Sequence, residues 1–312
     1  MSIATADTIG SAARLMKRAT YASVSVAALM ILIKLVAWIA TDSVSMLSSL
    51  LDSLLDAAAS VLNLLAVRQA VTPADREHRF GHGKAEALAG LGQAAFIGGS
   101  AMFLFIEAAH HLVQPAPTIN TELGIAVMMI AIAITLALVL YQRGVVRRTG
   151  SLVISADELH YRSDVILNGS VIVSLVASGM LGWPYADPLF GIAIGLWIIY
   201  GAWQVAKKAV GQLMDRELPD ADRARIRAIA LAHPAVTAVH DLRTRASGPT
   251  AFIQVHIEMD GGMALAEAHR VSDEVEAQLL AAFPRSEVMI HQDPAGIEEP
   301  RQVFPAGRTA RQ

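Results

Sequence analysis

Residues 44–67 read VSMLSSLLDSLLDAAASVLNLLAV, and residues 159–181 read LHYRSDVILNGSVIVSLVASGML. Each run is long and apolar enough for a helix crossing a hydrocarbon core, which needs about 20 such residues. Yet Asp52 and Asp56 sit in the first run, and His160 and Asp164 in the second. Each pair is spaced i, i+4, so its two side chains share one helix face, a turn apart. An ionisable side chain at a helix centre costs roughly 3 kcal/mol on insertion scales. That cost makes these residues poor structural filler and good candidates for function.

Outward from these runs, the chain keeps a membrane protein's balance. Of 312 residues, 54% are hydrophobic and 17% charged, and the mean hydropathy is +0.45. Soluble domains are more charged. The absence of cysteine excludes disulfides, thiolate metal sites and cysteine nucleophiles. A net charge of −3 argues against nucleic acid as a partner.

Six spans are expected, near residues 19–40, 44–68, 86–113, 121–143, 152–181 and 187–210. The first is too long for a cleaved signal peptide, lacks a small-residue cleavage site and is followed at once by another span. Arg14, Lys17 and Arg18 precede it, and Arg68, Arg76, Arg79 and Lys84 separate spans two and three. Arg143, Arg147 and Arg148 separate spans four and five, and Lys207, Lys208 and Arg216 follow the last. The intervening loops (Thr41–Asp42, HHLVQPAPTINTE and GWPYAD) carry no Lys or Arg. The positive-inside rule then places both termini in the cytoplasm.

The expected organisation is an N-terminal segment over 1–18, a transport domain over 19–212, a cytoplasmic domain over 213–297 and a disordered tail over 298–312. In the cytoplasmic domain, Asp220–Ala232 reads as an amphipathic helix ended by Pro234. Val236–Arg245 and Thr250–Met259 read as strands around a Ser-Gly-Pro turn, Leu265–Phe283 as a helix, and Glu287–Ile290 as a short third strand. The fold class is thus an all-α six-helix membrane domain plus an α+β domain of order αββαβ.

Three sets of side chains carry chemistry. Asp52, Asp56, His160 and Asp164 offer three carboxylates and one imidazole. That suits tetrahedral Zn²⁺, with Cd²⁺, Fe²⁺, Co²⁺ or Mn²⁺ less preferred. Mg²⁺ and Ca²⁺ favour more oxygens and no imidazole. The competing reading is a proton relay, or acids paired with a base such as Lys34, although Lys34 falls toward the outer end of its span and can snorkel. Metal binding needs deprotonated ligands, so release should be coupled to proton uptake. In PADREHRFGHGKAEAL, Asp75, His78 and His82 can converge around the turn that Gly81 and Gly83 permit. The alternative there is a solvated loop with ordinary surface histidines. In the cytoplasmic domain, His240, His256, His269, His291 and Asp293 fall on adjacent elements, the last two just after the third strand. His110, His111 and His233 read as interfacial or surface residues. No HExxH is present, which argues against an intramembrane metalloenzyme. A membrane-anchored metal sensor is a third reading, for which six spans are excessive.

Several ordered motifs carry a family resemblance: LLDSLLDAAAS at 50–60, HRFGHGKAEAL at 78–88, HYRSDVILN at 160–168, DRELPD at 215–220, HDLRTRASGPTAFIQVHIEM at 240–259 and IHQDP at 290–294. By these the chain resembles the cation diffusion facilitators, closely those of the bacterial ferrous-iron and zinc efflux type. The resemblance implies a homodimeric metal exporter of the bacterial inner membrane, surrounded by lipid, exchanging cytoplasmic metal for protons. It assigns Asp52, Asp56, His160 and Asp164 to the transport site and Asp75, His78 and His82 to a loop site. It assigns His240, His256, His269, His291 and Asp293 to a binuclear Zn²⁺ site at the dimer interface of a ferredoxin-like domain. It also implies an ion pair between Lys84 and Asp215, against the plainer reading of a surface salt bridge worth about 0–1 kcal/mol. The Asp-Asp with His-Asp set is the family pattern associated with Zn²⁺ and Cd²⁺; Fe²⁺ accepts the same ligands, and Mn²⁺-preferring members tend to be all-carboxylate. The short segment Arg143–Gly150 lacks the long His-rich loop of eukaryotic vesicular members.

Overall fold

The computed structural model describes residues 3–41, 44–113, 122–181 and 186–297. The expected disordered tail and the outer loops lie largely outside these residues. The described chain separates into two compact units, one holding Ile9–Met214 and the other holding Asp215–Ala246 and the chain from Thr250 onward.

The first unit contains six helices: α1 Ile3–Thr41, α2 Val44–Ala70, α3 Lys84–Val113, α4 Glu122–Thr149, α5 Leu152–Leu181 and α6 Ala186–Leu213. Every expected span falls within one of them, except that residue 121, the first of the fourth, lies outside the described residues. α1 starts well before the first expected span, because its Ala-rich beginning contains no Pro and continues the helix. Five of the six are long and apolar enough, among the described residues, to cross a membrane. The exception is α5, whose N-terminal half carries Asp157, Glu158, His160, Arg162 and Asp164. At 30 residues it matches its neighbours in length.

Side chains such as Val36, Ile39, Leu62, Phe103 and Trp203 point outward and stay exposed, as a lipid-facing surface requires. Inside, small residues let helices approach closely. Ala94, Ala101, Ala156 and Ala202 pack with Ile97, Leu159, Ile198 and Val205 where α3, α5 and α6 meet. A Cβ added at Gly201 would lie 2.9 Å from Leu159, so α6 meets α5 there with no room for a side chain.

The second unit contains α7 Asp220–Leu231, β1 Ala238–Ser247, β2 Thr250–Met259, α8 Leu265–Ala282 and β3 Ser286–Pro294. The αββαβ order is as expected. The sheet order is β1-β2-β3, with β2 and β3 parallel, so α8 serves as the crossover that a parallel pair requires. Ile226 and Ala230 of α7 and Val271, Val275 and Leu279 of α8 bury against Val239, Ile253, Val255 and Ile257 on one sheet face. Strand alternation then sends His256 and Glu258 to the opposite face.

One strand departs from expectation. β3 runs nine residues, not the four of Glu287–Ile290. Its pairing with β2 continues through His256↔His291 and Glu258↔Asp293 to Met259↔Pro294. The parallel ladder supplies hydrogen bonds that local propensity does not register. His291 and Asp293 are therefore strand residues rather than residues beyond the strand.

Candidate metal sites

At the intramembrane site, α2 contributes Asp56 and α5 contributes His160 and Asp164. His160 Nε2 lies 3.0 Å from Asp56 Oδ1 and 3.9 Å from Asp164 Oδ2. One ligand atom from each of the three fits within a mutual 4.8 Å, close enough for a single ion to bridge. The trio faces a cavity of about 720 Å³, also lined by Asp52 and Phe96. The edge of one ring meets the face of the other between Phe96 and His160, with centroids 6.0 Å apart. Asp52 stands one turn along α2 from Asp56 and lies outside the close trio. Residues i, i+4 have Cβ atoms about 5–6 Å apart, so an ion drawing on both Asp52 and Asp56 needs their carboxylates to turn inward. Lys34 Nζ donates to the Ser49 carbonyl at 3.0 Å, an anchor from α1 to the start of α2.

In the loop between α2 and α3, Asp75 sits between two imidazoles. Oδ1 lies 3.3 Å from His78 Nδ1, and Oδ2 lies 3.4 Å from His82 Nε2. The rings are 4.4 Å apart between centroids. The tight path depends on Gly81, whose φ of +76° is open to glycine and strained for other residues. The backbone N–H of His78 donates to Asp75 Oδ1 at 2.6 Å and that of Glu77 at 2.9 Å. These bonds, His78 first, hold the Asp75 carboxyl below the usual carboxylate range. His82 is largely buried, and its Nδ1 has no hydrogen-bond partner among the described residues. An ordered, ionised carboxylate beside two imidazoles is a donor set that fits a borderline metal ion.

On the outer face of the sheet, Asp293 is the hub. Its Oδ2 lies 2.9 Å from His256 Nδ1 and 3.2 Å from His240 Nε2. Its Oδ1 lies 3.1 Å from His291 Nε2. Asp293 is only 7% exposed, so one nearly buried carboxylate serves three imidazoles. The β2–β3 register explains the convergence: His256 and His291 are direct partners, two residues from Glu258 and Asp293 on the same face. Buried His240 Nδ1 has no hydrogen-bond partner among the described residues. Three imidazoles on one carboxylate fit Zn²⁺ or a similar ion.

Not every expected residue joins this group. His269 lies on α8, exposed, with its Nε2 3.7 Å from Asp273, and is not among the ligand groups within this unit. Conversely, two acids not singled out from the sequence belong here. Glu258 Oε1 lies 3.4 Å from His240 Nε2, and Asp241 Oδ2 lies 3.7 Å from His240 Nδ1. Glu258 was recoverable from its spacing two after His256 on one strand. Asp241 was not, because it reaches His240 through a positive φ of 43° that breaks the alternation of β1.

His233 corrects another expectation. It is not a surface residue but 8% exposed. Its Nδ1 accepts from the Ala235 N–H at 3.2 Å, and its Nε2 lies 2.9 Å from Glu274 Oε2. It thus ties the end of α7 to α8. Of the Lys84–Asp215 pair, each partner has a contact within its own unit. Lys84 Nζ donates to the Leu213 carbonyl at 3.4 Å, and Asp215 accepts from Arg245 at 3.4 Å.

Comparison with known proteins agrees with this architecture. Residues 20–214 match the cation efflux transmembrane domain, and residues 218–295 match the cytoplasmic domain of cation efflux proteins. The cation-efflux pump FieF of Klebsiella pneumoniae is 50% identical over 284 residues, covering 91% of this chain and 94% of the pump. FieF of Salmonella agona shows the same identity and coverage: 50%, 91% and 94%. A solved structure of CzrB in its Zn form is 38% identical, covering 28% of this chain and 99% of its own, with a TM-score of 0.26. With both domains matched in order along nearly its whole length, the chain belongs to the cation efflux family, the cation diffusion facilitators, and is a membrane cation efflux transporter rather than an enzyme.

Proposed function

We propose that this protein exports a divalent transition metal, Zn²⁺ foremost, from the bacterial cytoplasm in exchange for protons. The observation that carries this reading is the trio Asp56, His160 and Asp164, gathered at one cavity with Asp52 on its wall. Three carboxylates and an imidazole suit tetrahedral Zn²⁺, and Cd²⁺ or Fe²⁺ on the same ligands. An ion can bind only as the ligands lose protons, and protons return as it leaves. Because the ligands belong to two helices, small relative movements of α2 and α5 open or close the cage. That is what alternating access needs.

The reading includes six spans, with α5 as the polar one, and both termini in the cytoplasm. It takes the protein as a homodimer of the inner membrane, with domain limits at 19–212 and 213–297. Cytoplasmic Zn²⁺ at His240, His256, His291 and Asp293, with His269 completing the set across the dimer, holds the protomers together. Asp75, His78 and His82 form a separate loop site, and Lys84 pairs with Asp215. Similarity to pumps named for cation efflux supports the direction of transport. The test is Zn²⁺, Cd²⁺, Fe²⁺ and Mn²⁺ uptake into proteoliposomes under an imposed pH gradient. Zn²⁺ flux that follows the gradient is expected; flux indifferent to it would overturn the proton exchange. A sensor without transport would show no flux at all.

A further inference from the structure

We propose that Asp157, which serves no metal site, is a positioning residue. Through a polar seam between α2 and α5, it sets the helix register that keeps Asp56 opposite His160. This deepens the transport reading and rests on it.

The seam has three rungs. Asn63 Nδ2 donates to Asp157 Oδ1 at 2.9 Å. Ser60 Oγ and Tyr161 Oη share a hydrogen bond at 2.8 Å. Asp56 Oδ1 meets His160 Nε2 at 3.0 Å. On α2 the participants are Asp56, Ser60 and Asn63, at i, i+4 and i+7, a single stripe of the helix. On α5 they are Asp157, His160 and Tyr161, within one turn and a little more. Asn63 pairs near the start of this α5 stretch, at Asp157, while Ser60 and Asp56 pair a turn further on, at Tyr161 and His160, as in two antiparallel helices. The rung farthest from the metal trio is the most enclosed: Asp157 is 0% exposed and Asn63 2%.

Asp157 also reaches beyond the seam. Its Oδ2 accepts from Ser23 Oγ of α1 at 2.6 Å and from Gln142 Nε2 of α4 at 2.6 Å. One carboxylate therefore joins α1, α2, α4 and α5. The start of α5 is fixed separately by α3, since Glu86 Oε1 accepts from the Leu152 N–H at 2.5 Å. In a membrane interior no water replaces a lost partner. A slip of α2 past α5 by one turn, about 5.4 Å, breaks all three rungs together and parts Asp56 from His160. The metal cage thus inherits its geometry from a carboxylate that never touches the ion, as outer partners commonly orient metal ligands.

The experiment uses full-length protein in proteoliposomes, with Zn²⁺ as the probe. Asp157→Asn should leave helix content and the dimer intact while raising the half-saturating Zn²⁺ concentration about tenfold, the usual scale for a lost outer partner. The double variant N63D/D157N restores an amide–carboxylate bond with the donor reversed, and should recover most of the wild-type value. An unchanged half-saturation in D157N, a loss confined to maximal rate, or a double variant no better than the single one would overturn the proposal. If D157N fails to fold, Tyr161→Phe and Ser60→Ala carry the test, because each breaks a rung and leaves Asp157 in place. Each should raise half-saturation by a smaller factor, and no rise in either overturns the clamp. Wild-type protein that binds Zn²⁺ without moving it would overturn the transport reading instead. The clamp would then be judged on Zn²⁺ binding constants, measured in a D293A background.

Discussion

The intramembrane trio and the cytoplasmic cluster use nearly the same atoms and are built in opposite ways. Each centres on an imidazole–carboxylate contact, 3.0 Å for His160 and Asp56 and 2.9 Å for His256 and Asp293. In the helical unit the trio is split between α2 and α5, held by side-chain hydrogen bonds and packing, beside a cavity. On the sheet the clustered side chains stand on strands locked by a backbone ladder, around a carboxylate almost closed to solvent. A helix pair joined by a few side-chain bonds can tilt at modest cost, whereas a strand register changes only by breaking every rung of its backbone ladder. The first arrangement suits a site that must load and unload. The second suits a site that holds its ion.

The largest expected effect follows from emptying the first site. Asp164→Ala should abolish Zn²⁺ flux in proteoliposomes while the dimer survives size-exclusion chromatography; retained flux would break the comparison. Asp293→Ala comes next. It should remove the thermal stabilisation that added Zn²⁺ confers on the full-length protein and weaken cytoplasmic Zn²⁺ binding, since the shared carboxylate is lost. Transport should persist at a reduced rate, because the trio is untouched. Equal loss of flux in both variants would mean that the two sites are one functional unit.

A smaller effect concerns the pH response of the cytoplasmic domain. His233 first, then Arg270, hold the Glu274 carboxyl below the usual carboxylate range. A carboxylate with a depressed folded value contributes stability that is present above its unfolded value and lost as pH falls through the folded one. His233→Ala should therefore lower the melting temperature near neutral pH, with the difference from wild type shrinking in acid. Melting curves from about pH 3 to about pH 7, a window that spans the ordinary carboxylate range, would show it. The smallest effect is expected at the exposed loop. Asp75→Asn should weaken Zn²⁺ binding there and change flux only modestly, as measured by initial rates.

Much of this was legible beforehand, for identifiable reasons. Helical periodicity placed Asp52 with Asp56 and His160 with Asp164, because i, i+4 geometry is local. Charge asymmetry and apolar length delimited the helices for the same reason. Legibility failed where a contact crosses the chain. β3 looked short because its last residues are held by β2 rather than by their own propensity. His233 looked exposed because its partner Glu274 is 41 residues away. Asp157 attracted no notice, since its partners Ser23, Asn63 and Gln142 come from three other helices.

By itself, then, the sequence determined the long helices, the αββαβ order, the family and the kinds of side chain that cluster. These depend on hydropathy, strand and helix periods and side-chain type, all properties of short segments. Only the tertiary structure decided which acids and imidazoles stand together. It drew Asp56 rather than Asp52 against His160, made Asp293 the hub of three histidines, added Glu258 and Asp241, and left His269 outside the group within one unit. The reason is that a ligand set is a matter of distances a few ångströms across. Those distances are set by how α2 meets α5 and how β2 registers with β3, which no segment encodes alone.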